Sequence, residues 1–384
     1  MPLRLAGRVS GIAPFLAMEV LERAIALEGE GAHVVHLEIG EPDLPPPPEA
    51  VDACARALAA GETRYTDSRG LLALREAIVE DAAQRTGARI DPGRVLVTNG
   101  TSAAMLLVFS LLVSPGDEVI VPTPHYPCYP NFVRVCGGTP VFVAARAAQG
   151  WRVDPGDVRA AMTPRTRAIV LGSPANPTGA VQERATLDAL AGLGVPLVSD
   201  EIYGGIVYGG APAASALALA RDDVFVLDGV SKRYAMTGFR LGWVVAPADA
   251  ARPLQVLQQN LFISANRFVQ HAGIAALRHG EKTTEAMRSA YASRRERLVR
   301  GLRALGFGVP ALPAGAFYVF ADARAFGADS RRLAFDLLER AHVAVTPGID
   351  FGEAGEGFLR FSYAVSERDL ALALERMERV LRAG

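Results

Sequence analysis

Seven short apolar runs, rich in β-branched residues, alternate with longer helical patterns through the first 245 residues of this chain. The runs cover residues 94–98, 118–121, 140–143, 168–171, 196–199, 224–227 and 241–245. Buried strands that alternate with helices are typical of a mostly parallel sheet covered by helices. The pattern therefore predicts an α/β fold, whose large domain contains a seven-stranded, mostly parallel sheet flanked by helices.

The pattern changes in the last third of the chain. A long helical stretch comes first, and short apolar runs then alternate with further helical segments. The stretch covers 264–305, the runs 316–320, 343–345 and 358–362, and the later helical segments 330–340 and 366–382. Such a mixture predicts a second, smaller domain of the α+β class.

A length of 384 residues exceeds the usual size of one hydrophobic core, which favours two domains. The proline run at 45–48 breaks regular structure, so the segment before it is expected to join the smaller domain. We therefore predict an N-terminal arm and part of the small domain at 1–45, a large domain at 46–285, and the rest of the small domain at 286–384.

Composition excludes several classes of protein. Forty Lys and Arg residues against 41 Asp and Glu give a net charge of −1, which makes nucleic acid and anionic membrane poor partners. No run of about 20 apolar residues is present to span a membrane. The three cysteines lack CxxC spacing, which argues against a disulfide framework and a zinc site. We expect no metal and a cytoplasmic location.

Lys232 and Arg240 lie eight residues apart in an otherwise nearly neutral segment. A lysine amine can condense with an aldehyde, and a guanidinium can hold a phosphate through its planar fork of donors. Such a pair suits a cofactor that carries both groups. Isolated Lys and Arg mostly lie on the surface, so a solvated basic turn is the alternative, and this segment alone leaves both interpretations open.

Polar residues follow two of the predicted strands, where the carboxyl ends of an α/β sheet face the ligand crevice. Asp200 ends one strand and could keep the ring nitrogen of a pyridine protonated. Tyr203 and Asn176 could donate hydrogen bonds to a phenolic oxygen on the same ring. Neighbouring prolines restrict the backbone of Asn176. An ordinary turn or core packing is the alternative for each residue.

Gly100, Thr101 and Ser102 follow a predicted strand and open a helical run. Free backbone N–H groups and hydroxyls at a helix N-terminus form a ready anion site, although a helix cap without ligand uses the same residues. The chain contains neither the dinucleotide fingerprint GxGxxG at this position nor a phosphate-binding Gly-Lys-Ser/Thr loop. The sequence alone therefore leaves open whether these residues form an anion site of a different kind or only cap the helix.

Two further side chains are candidates for ligand contacts. Tyr126 follows a strand end and could stack on a planar cofactor, whereas His125 beside it is expected to be an incidental loop residue. Arg360 alternates with apolar neighbours in a predicted strand and suits a carboxylate held by two parallel hydrogen bonds. Packing for Tyr126 and a structural ion pair for Arg360 are the alternatives.

Together these residues resemble the fold type I, pyridoxal-phosphate-dependent aminotransferases of class I and II, the group that includes aspartate, alanine and aromatic aminotransferases. The likeness begins at Leu37–Asp43 and extends to the segment around Arg360. It implies pyridoxal 5'-phosphate as cofactor, with Lys232 as the Schiff-base lysine and general base. The implied cofactor-binding set is Lys232, Gly100, Thr101, Ser102, Tyr126, Asn176, Asp200, Tyr203, Arg240 and Tyr65.

The resemblance also assigns roles around the substrate. Catalysis would involve Lys232, Asp200 and Tyr203, and substrate binding would involve Arg360, Asn176 and Gly40. Tyr65 matches the tyrosine that reaches the phosphate of the neighbouring subunit. The resemblance therefore implies a homodimer with shared active sites.

The chain departs from the family pattern at two places. Many members carry a phosphate-binding serine three residues before the lysine, but this chain has Gly229 there and Ser231 next to the lysine, so a phosphate contact of Ser231 is left open. One branch of the family uses a partner-chain arginine to bind a distal carboxylate. Asn260 stands at that position, which removes this route to aspartate specificity.

The predicted reaction is a ping-pong transfer of the amino group from an L-amino acid to a 2-oxo acid, with 2-oxoglutarate as the expected acceptor. No Lys or Arg occurs between Arg94 and Arg134, which favours a neutral or aromatic donor without excluding aspartate. Two alternatives remain: a C–S β-lyase or related carbanion enzyme with the same cofactor constellation, and a non-catalytic amino-acid sensor on the same scaffold.

Overall fold

The computed structural model describes residues 3–382. Its helices α1 to α13 cover Leu16–Gly29, Pro48–Ala59, Leu72–Thr86, Thr101–Leu112, Cys128–Val135, Pro155–Ala161, Arg184–Ala191, Val230–Arg233, Ala248–Leu261, Arg267–His279, Glu281–Leu305, Ser330–Ala341 and Glu367–Arg382. Its strands β1 to β12 cover Val35–His36, Val95–Thr98, Glu118–Thr123, Thr139–Ala144, Thr166–Gly172, Leu197–Asp200, Val224–Gly229, Gly242–Val245, Tyr318–Asp322, Val343–Ala344, Thr346–Pro347 and Phe358–Ser362.

All seven predicted apolar runs form strands of one sheet, in the order β2-β8-β7-β6-β5-β3-β4. Strand β8 pairs antiparallel with β2 and β7, and the remaining pairs are parallel. Every residue of β2, β3, β6, β7 and β8 is buried, as expected when helices cover both faces of a sheet. The predicted α/β fold with a seven-stranded, mostly parallel sheet is confirmed.

The carboxyl ends of the parallel strands lie along one edge of this sheet. Gly172 at the end of β5 is in register with Asp200 at the end of β6, and Asp200 is in register with Leu227 of β7. Helix α8 starts directly after β7, and helix α4 starts shortly after β2. This arrangement brings residues that are far apart in sequence to a common edge.

The N-terminal segment packs on the C-terminal elements. Strand β1 pairs in parallel with β10, and apolar residues of α1 form a cluster with Leu338 and Ala344. A separate three-stranded antiparallel sheet has the order β11-β12-β9, with β12 in the centre. These contacts are compatible with a small domain built from both ends of the chain, and the boundaries at residues 45 and 285 remain our proposal.

The helical stretch expected over 264–305 consists of two helices, α10 and α11, which meet at Gly280. A side chain at Gly280 would lie 2.7 Å from the ring of Tyr234, so the close approach of this aromatic ring requires a glycine. Within residues 3–382, none of the helices combines the length and the apolar character that a membrane crossing needs.

Candidate active site

A cavity of about 260 Å³ lies at the carboxyl edge of the large sheet. Ten of the twelve site residues expected from the sequence line it: Gly40, Thr101, Ser102, Tyr126, Asn176, Asp200, Tyr203, Lys232, Arg240 and Arg360. Ser231 lines the cavity as well. The fold therefore brings together residues that lie far apart in the sequence. Gly40 and Arg360, for example, are 320 positions apart.

Lys232 lies in the short helix α8, directly after β7. Its Nζ donates a hydrogen bond of 2.5 Å to the carbonyl oxygen of Gly40. Burial lowers the pKa of Lys232 to about 8, because the charged amine loses its hydration; Glu41 opposes this shift, and the charges of Arg360 and Arg240 add to it. A lysine with this pKa is neutral often enough to act as nucleophile or base near neutral pH.

Asp200 is buried at the end of β6. Its Oδ2 accepts a hydrogen bond of 2.8 Å from the hydroxyl of Tyr129, and Oδ1 accepts one of 3.3 Å from the backbone N–H of Ile202. Burial raises the pKa of Asp200 to about 6, although both hydrogen bonds lower it. A cation placed against this carboxylate would keep it ionised.

Tyr129 is a site residue that the sequence analysis missed. It lines the cavity with Tyr126, and the two rings meet edge to face with centroids 5.4 Å apart. The two tyrosines are three residues apart, a spacing that places side chains on one face of a helical turn. This spacing was the signal that could have identified Tyr129 from the sequence.

Arg360 lies in the central strand β12 and is only 2% exposed. Its guanidinium donates to the side chains of Asn176 and Thr346, both at 3.0 Å, and to the backbone carbonyl of Glu38. Since arginine only donates, the Asn176 atom that faces it is Oδ1. The Nδ2 group of Asn176 is therefore the donor available to a ligand.

Tyr203 and Tyr318 pair at the same cavity. Their hydroxyl oxygens are 2.7 Å apart, and burial raises the pKa of Tyr203 well above its usual value. The hydroxyl of Tyr203 therefore stays protonated and can donate. Tyr318 also packs its ring against the guanidinium of Arg360, 4.4 Å from the ring centroid, and was not identified from the sequence.

The start of helix α4 and Arg240 form a cradle for an anion. Gly100 has φ +87° and directly precedes the helix, whose first residues are Thr101 and Ser102. A side chain at Gly100 would lie 2.6 Å from Nη2 of Arg240, so glycine lets the guanidinium approach the helix N-terminus. Backbone N–H groups, two hydroxyls and a guanidinium match the acceptor oxygens of a phosphate.

The donor set fits pyridoxal phosphate. It combines an amine of lowered pKa, a buried carboxylate, hydroxyl and amide donors, and a phosphate cradle at one cavity. Within residues 3–382, no group of three or more His, Cys, Asp or Glu side chains has a metal-binding arrangement.

Tyr65 and His125 lie outside the cavity, whereas Gly40 lines it without a side chain. Tyr65 is 76% exposed and does not line the cavity of its own chain. A side chain at Gly40 would collide with the hydroxyl of Tyr318. His125 lies outside this cavity, where its ring stacks on Phe142 and burial lowers its pKa to about 4. It is a packed, neutral residue in the fold.

Residues 32–377 match the family model of the aminotransferases of class I and II. The chain belongs to this family. It is accordingly a pyridoxal-phosphate-dependent aminotransferase of fold type I, which moves an amino group between an amino acid and a 2-oxo acid.

Relatives of this aminotransferase cover nearly its whole length. The aspartate/prephenate aminotransferase of Thermus thermophilus is 40% identical, over 98% of this chain and 98% of its own. The (5-formylfuran-3-yl)methyl phosphate transaminase of Methanocaldococcus jannaschii is 38% identical, over 98% and 99%. The solved Thermus thermophilus aspartate aminotransferase with maleate superimposes with a TM-score of 0.94 at 39% identity, over 99% and 100%.

Proposed function

We propose that this aminotransferase takes its amino group from a neutral, apolar or aromatic L-amino acid and passes it to 2-oxoglutarate by a ping-pong mechanism. The supporting observation is the wall of the cavity. Phe15, Met18, Met105 and Phe132 line it, and within residues 3–382 its cationic lining residues are Lys232, Arg240 and Arg360. Each of those cations has a proposed role below, so one chain offers no cation dedicated to the distal carboxylate of a donor such as aspartate. 2-Oxoglutarate is proposed as acceptor on the family pattern, and its distal carboxylate would be bound by polar groups or by the partner subunit.

The N-terminal segment that carries part of this wall is held at two points. The backbone N–H groups of Leu16 and Ala17, at the start of α1, donate to the buried carboxylate of Asp350 at 2.9 and 3.3 Å. Asn131 of α5 forms two hydrogen bonds with the backbone of Ala13, both 3.2 Å. These bonds fix the segment over the cavity, which supports its role in recognising the donor side chain.

We propose the following roles around the reacting atoms. Pyridoxal phosphate, when bound, supplies an aldehyde that condenses with amines and a ring that accepts electrons as the α-proton leaves. The Nζ of Lys232 would hold the cofactor until the amine of the incoming amino acid displaces it. The free, neutral Nζ would then remove the α-proton of the amino acid. Asp200 supplies the negative charge that keeps the ring nitrogen protonated, and Tyr129 holds that carboxylate.

The remaining roles concern binding. Tyr203 and the Nδ2 group of Asn176 donate to the phenolic oxygen, and Tyr126 stacks on the ring. The anion cradle of Gly100, Thr101, Ser102 and Arg240 holds the phosphate, with Ser231 as a further contact. Gly40 leaves space for the substrate, because a side chain there would collide with its neighbours.

Arg360 is proposed to bind the α-carboxylate of both substrates. Its Nε is buried and finds no hydrogen-bond partner within residues 3–382, so the guanidinium keeps a donor for a ligand. A carboxylate held by two parallel bonds would satisfy it.

Arg360→Lys is expected to raise KM for the amino acid and the 2-oxo acid by about 10- to 100-fold. An ammonium cannot form two parallel bonds, and a hydrogen bond between charged groups contributes about 1.5–3 kcal/mol. Steady-state kinetics with both substrates measures the change. Arg324→Lys, at an exposed arginine next to the same small sheet, is the matched control. An unchanged KM in Arg360→Lys would contradict the role.

The donor preference is tested by half-reaction rates over a panel of amino acids. We expect kcat/KM for at least one of phenylalanine, tyrosine, leucine or methionine to exceed that for aspartate by about tenfold or more. Phe15→Ala is expected to lower that preference, whereas Val9→Ala, at an exposed site in the same segment, leaves it unchanged. A strong preference for aspartate in the unmodified enzyme would refute the proposed donor class.

We also propose a homodimer in which Tyr65 contacts the phosphate bound by the partner subunit. The exposure of Tyr65 supports this assignment, as do the half-exposed apolar side chains of Leu261 and Ile263. The backbone N–H of Thr66 donates to Ser264, which places Tyr65 beside this apolar surface. A cytoplasmic location is proposed as well, since all three cysteines are free thiols.

A further inference from the structure

The segment 38–40 contacts both cations at the centre of the site through its backbone. The carbonyl oxygen of Glu38 accepts hydrogen bonds from the guanidinium of Arg360 and from the hydroxyl of Thr346, the latter at 3.1 Å. Two residues later, the carbonyl oxygen of Gly40 accepts the bond from Lys232. A shift of this short segment would therefore move the acceptors of both cations.

The start of the segment is anchored by backbone bonds. The N–H of Leu37 donates to Ala344 at 2.9 Å, and its carbonyl accepts from Ser362 at 2.7 Å. Beyond Leu37, the side chain of Glu38 is fully buried and lies beside the cavity. The contacts of this side chain, together with the hydrogen bond from Thr346 to the Glu38 carbonyl, therefore influence the positions of the two carbonyls.

His36 is the polar partner of Glu38. Its Nδ1 lies 2.7 Å from Oε1 of Glu38, and its Nε2 lies 3.2 Å from Glu28 of helix α1. The other oxygen of Glu38, Oε2, is buried and has no hydrogen-bond partner within residues 3–382. Exposure of the side chains falls from 42% at Glu28 through 28% at His36 to zero at Glu38. A single imidazole thus links the surface to the buried carboxyl group.

A buried carboxylate without a partner is unstable, so loss of this imidazole would destabilise the present position of the Glu38 side chain. The hydrogen bond to Glu38 raises the pKa of His36 to about 9 against the effect of burial, and Glu28 adds to the rise. From helix α13, the guanidinium of Arg376 faces this region and donates to the carbonyls of His33 and His342. Despite this nearby cation, a pKa of about 9 means that the imidazole of His36 is protonated at neutral pH.

We propose that His36 is a positioning residue of the transamination reaction: by holding Glu38, it fixes the backbone acceptors that orient Arg360 and Lys232. This proposal depends on the carboxylate-binding role proposed for Arg360. Because the pKa of His36 is raised in the fold, the part of its contribution that comes from its positive charge is complete at neutral pH and is lost as the pH rises through about 9, while the neutral ring keeps one donor.

The test uses the cofactor-loaded enzyme and the half-reaction with a 2-oxo acid, whose carboxylate stays ionised across the whole range. His36→Leu removes both the donor and the charge, whereas His36→Gln keeps a donor without the charge. Glu28→Gln, which changes only the outer neighbour of His36, is the matched control. KM and kcat are measured separately between pH 7 and pH 10 for each enzyme.

At pH 7.5, His36→Leu is expected to raise KM for the 2-oxo acid about tenfold with a smaller change in kcat, whereas His36→Gln is expected to raise KM less, to about the value of the unmodified enzyme at pH 10, because the neutral imidazole also keeps one donor without the charge. In the unmodified enzyme KM rises between pH 8 and pH 10, and in His36→Gln this rise is smaller, because only the deprotonation of Lys232, whose pKa is about 8, remains. At pH 7.5, Glu28→Gln keeps the values of the unmodified enzyme to within about twofold, and its alkaline rise of KM begins at a lower pH because Glu28 helps to raise the pKa of His36.

Two results would overturn the proposal. One is a folded, cofactor-loaded His36→Leu enzyme with an unchanged KM. The other is the same alkaline rise of KM in His36→Gln as in the unmodified enzyme, which decides the matter even if His36→Leu does not fold. If Arg360 does not bind the substrate α-carboxylate, Arg360→Lys would leave KM unchanged. This result distinguishes failure of the role of Arg360 from failure of the role of His36.

Discussion

Lys232→Ala is expected to lower kcat for transamination by at least about 10⁴-fold, the largest effect of any single change in this chain. The lowered pKa of about 8 suits the Nζ of Lys232 to its two proposed roles, attachment of the cofactor and removal of the α-proton. Steady-state rates with the preferred donor and 2-oxoglutarate measure the loss. Absorbance after addition of the donor shows separately whether the half-reaction still occurs.

The chain offers a clean control, because its only other lysine is Lys282. Lys282 is exposed on helix α11, and Lys282→Ala is expected to retain full activity. Borohydride reduction followed by peptide mapping should locate the cofactor on Lys232 alone. Steady-state turnover that persists in Lys232→Ala, or labelling of Lys282, would refute the assignment. Pyruvate and ammonia released from a β-substituted amino acid without any acceptor would instead indicate the lyase alternative.

Asp200→Asn is expected to lower kcat by about 10²- to 10³-fold while the fold is retained. The amide has nearly the same shape and can still accept a hydrogen bond from Tyr129, but it lacks the charge that favours a protonated ring nitrogen. Rates of α-proton exchange with solvent measure this step directly. Tyr129→Phe removes one hydrogen bond from Asp200 and is expected to cost about tenfold or less.

Glu201→Gln is the matched control for Asp200→Asn. Glu201 is the next residue and also a buried carboxyl group, but it accepts from Ser199 and the backbone N–H of Ala216 and lies outside the cavity. We expect this variant to lower the melting temperature with little change in kcat per cofactor-loaded subunit. Equal losses of kcat in both variants would show that burial, not the position opposite the ring, determines the effect of Asp200→Asn.

The sequence predicted the large sheet because its strands are buried on both faces and therefore consist of unbroken apolar runs, as at Val95–Val97. It predicted the position of Asp200 because residues at strand ends are placed by the topology of the sheet, whereas Lys232 was singled out by its spacing of eight residues from Arg240. The break at Gly280 was not predicted, since it depends on the close packing of Tyr234, which lies 46 residues earlier in the chain.

The hydrogen bonds that could not be predicted from the sequence join elements that are distant along the chain. The bond from Arg360 to Asn176 joins residues 184 positions apart, and the bond from Tyr129 to Asp200 joins residues 71 apart. Neither has a local sequence pattern, because each arises from how the strands and loops are arranged in space. The sequence identified Tyr65 only by resemblance, and its exposed position in one subunit is the property expected of a residue that acts in another.

The hydrogen bonds from the start of helix α1 to Asp350 hold the N-terminal segment beside the cavity. Recognition of the donor side chain and the chemical step are thereby assigned to different parts of the chain. In the proposed function, Phe15 and Met18 contribute to recognition of the donor side chain, while the proposed catalytic residues Asp200 and Lys232 lie more than 150 residues later. Mutations near the N-terminus can therefore alter the choice of amino acid while the chemical step stays intact.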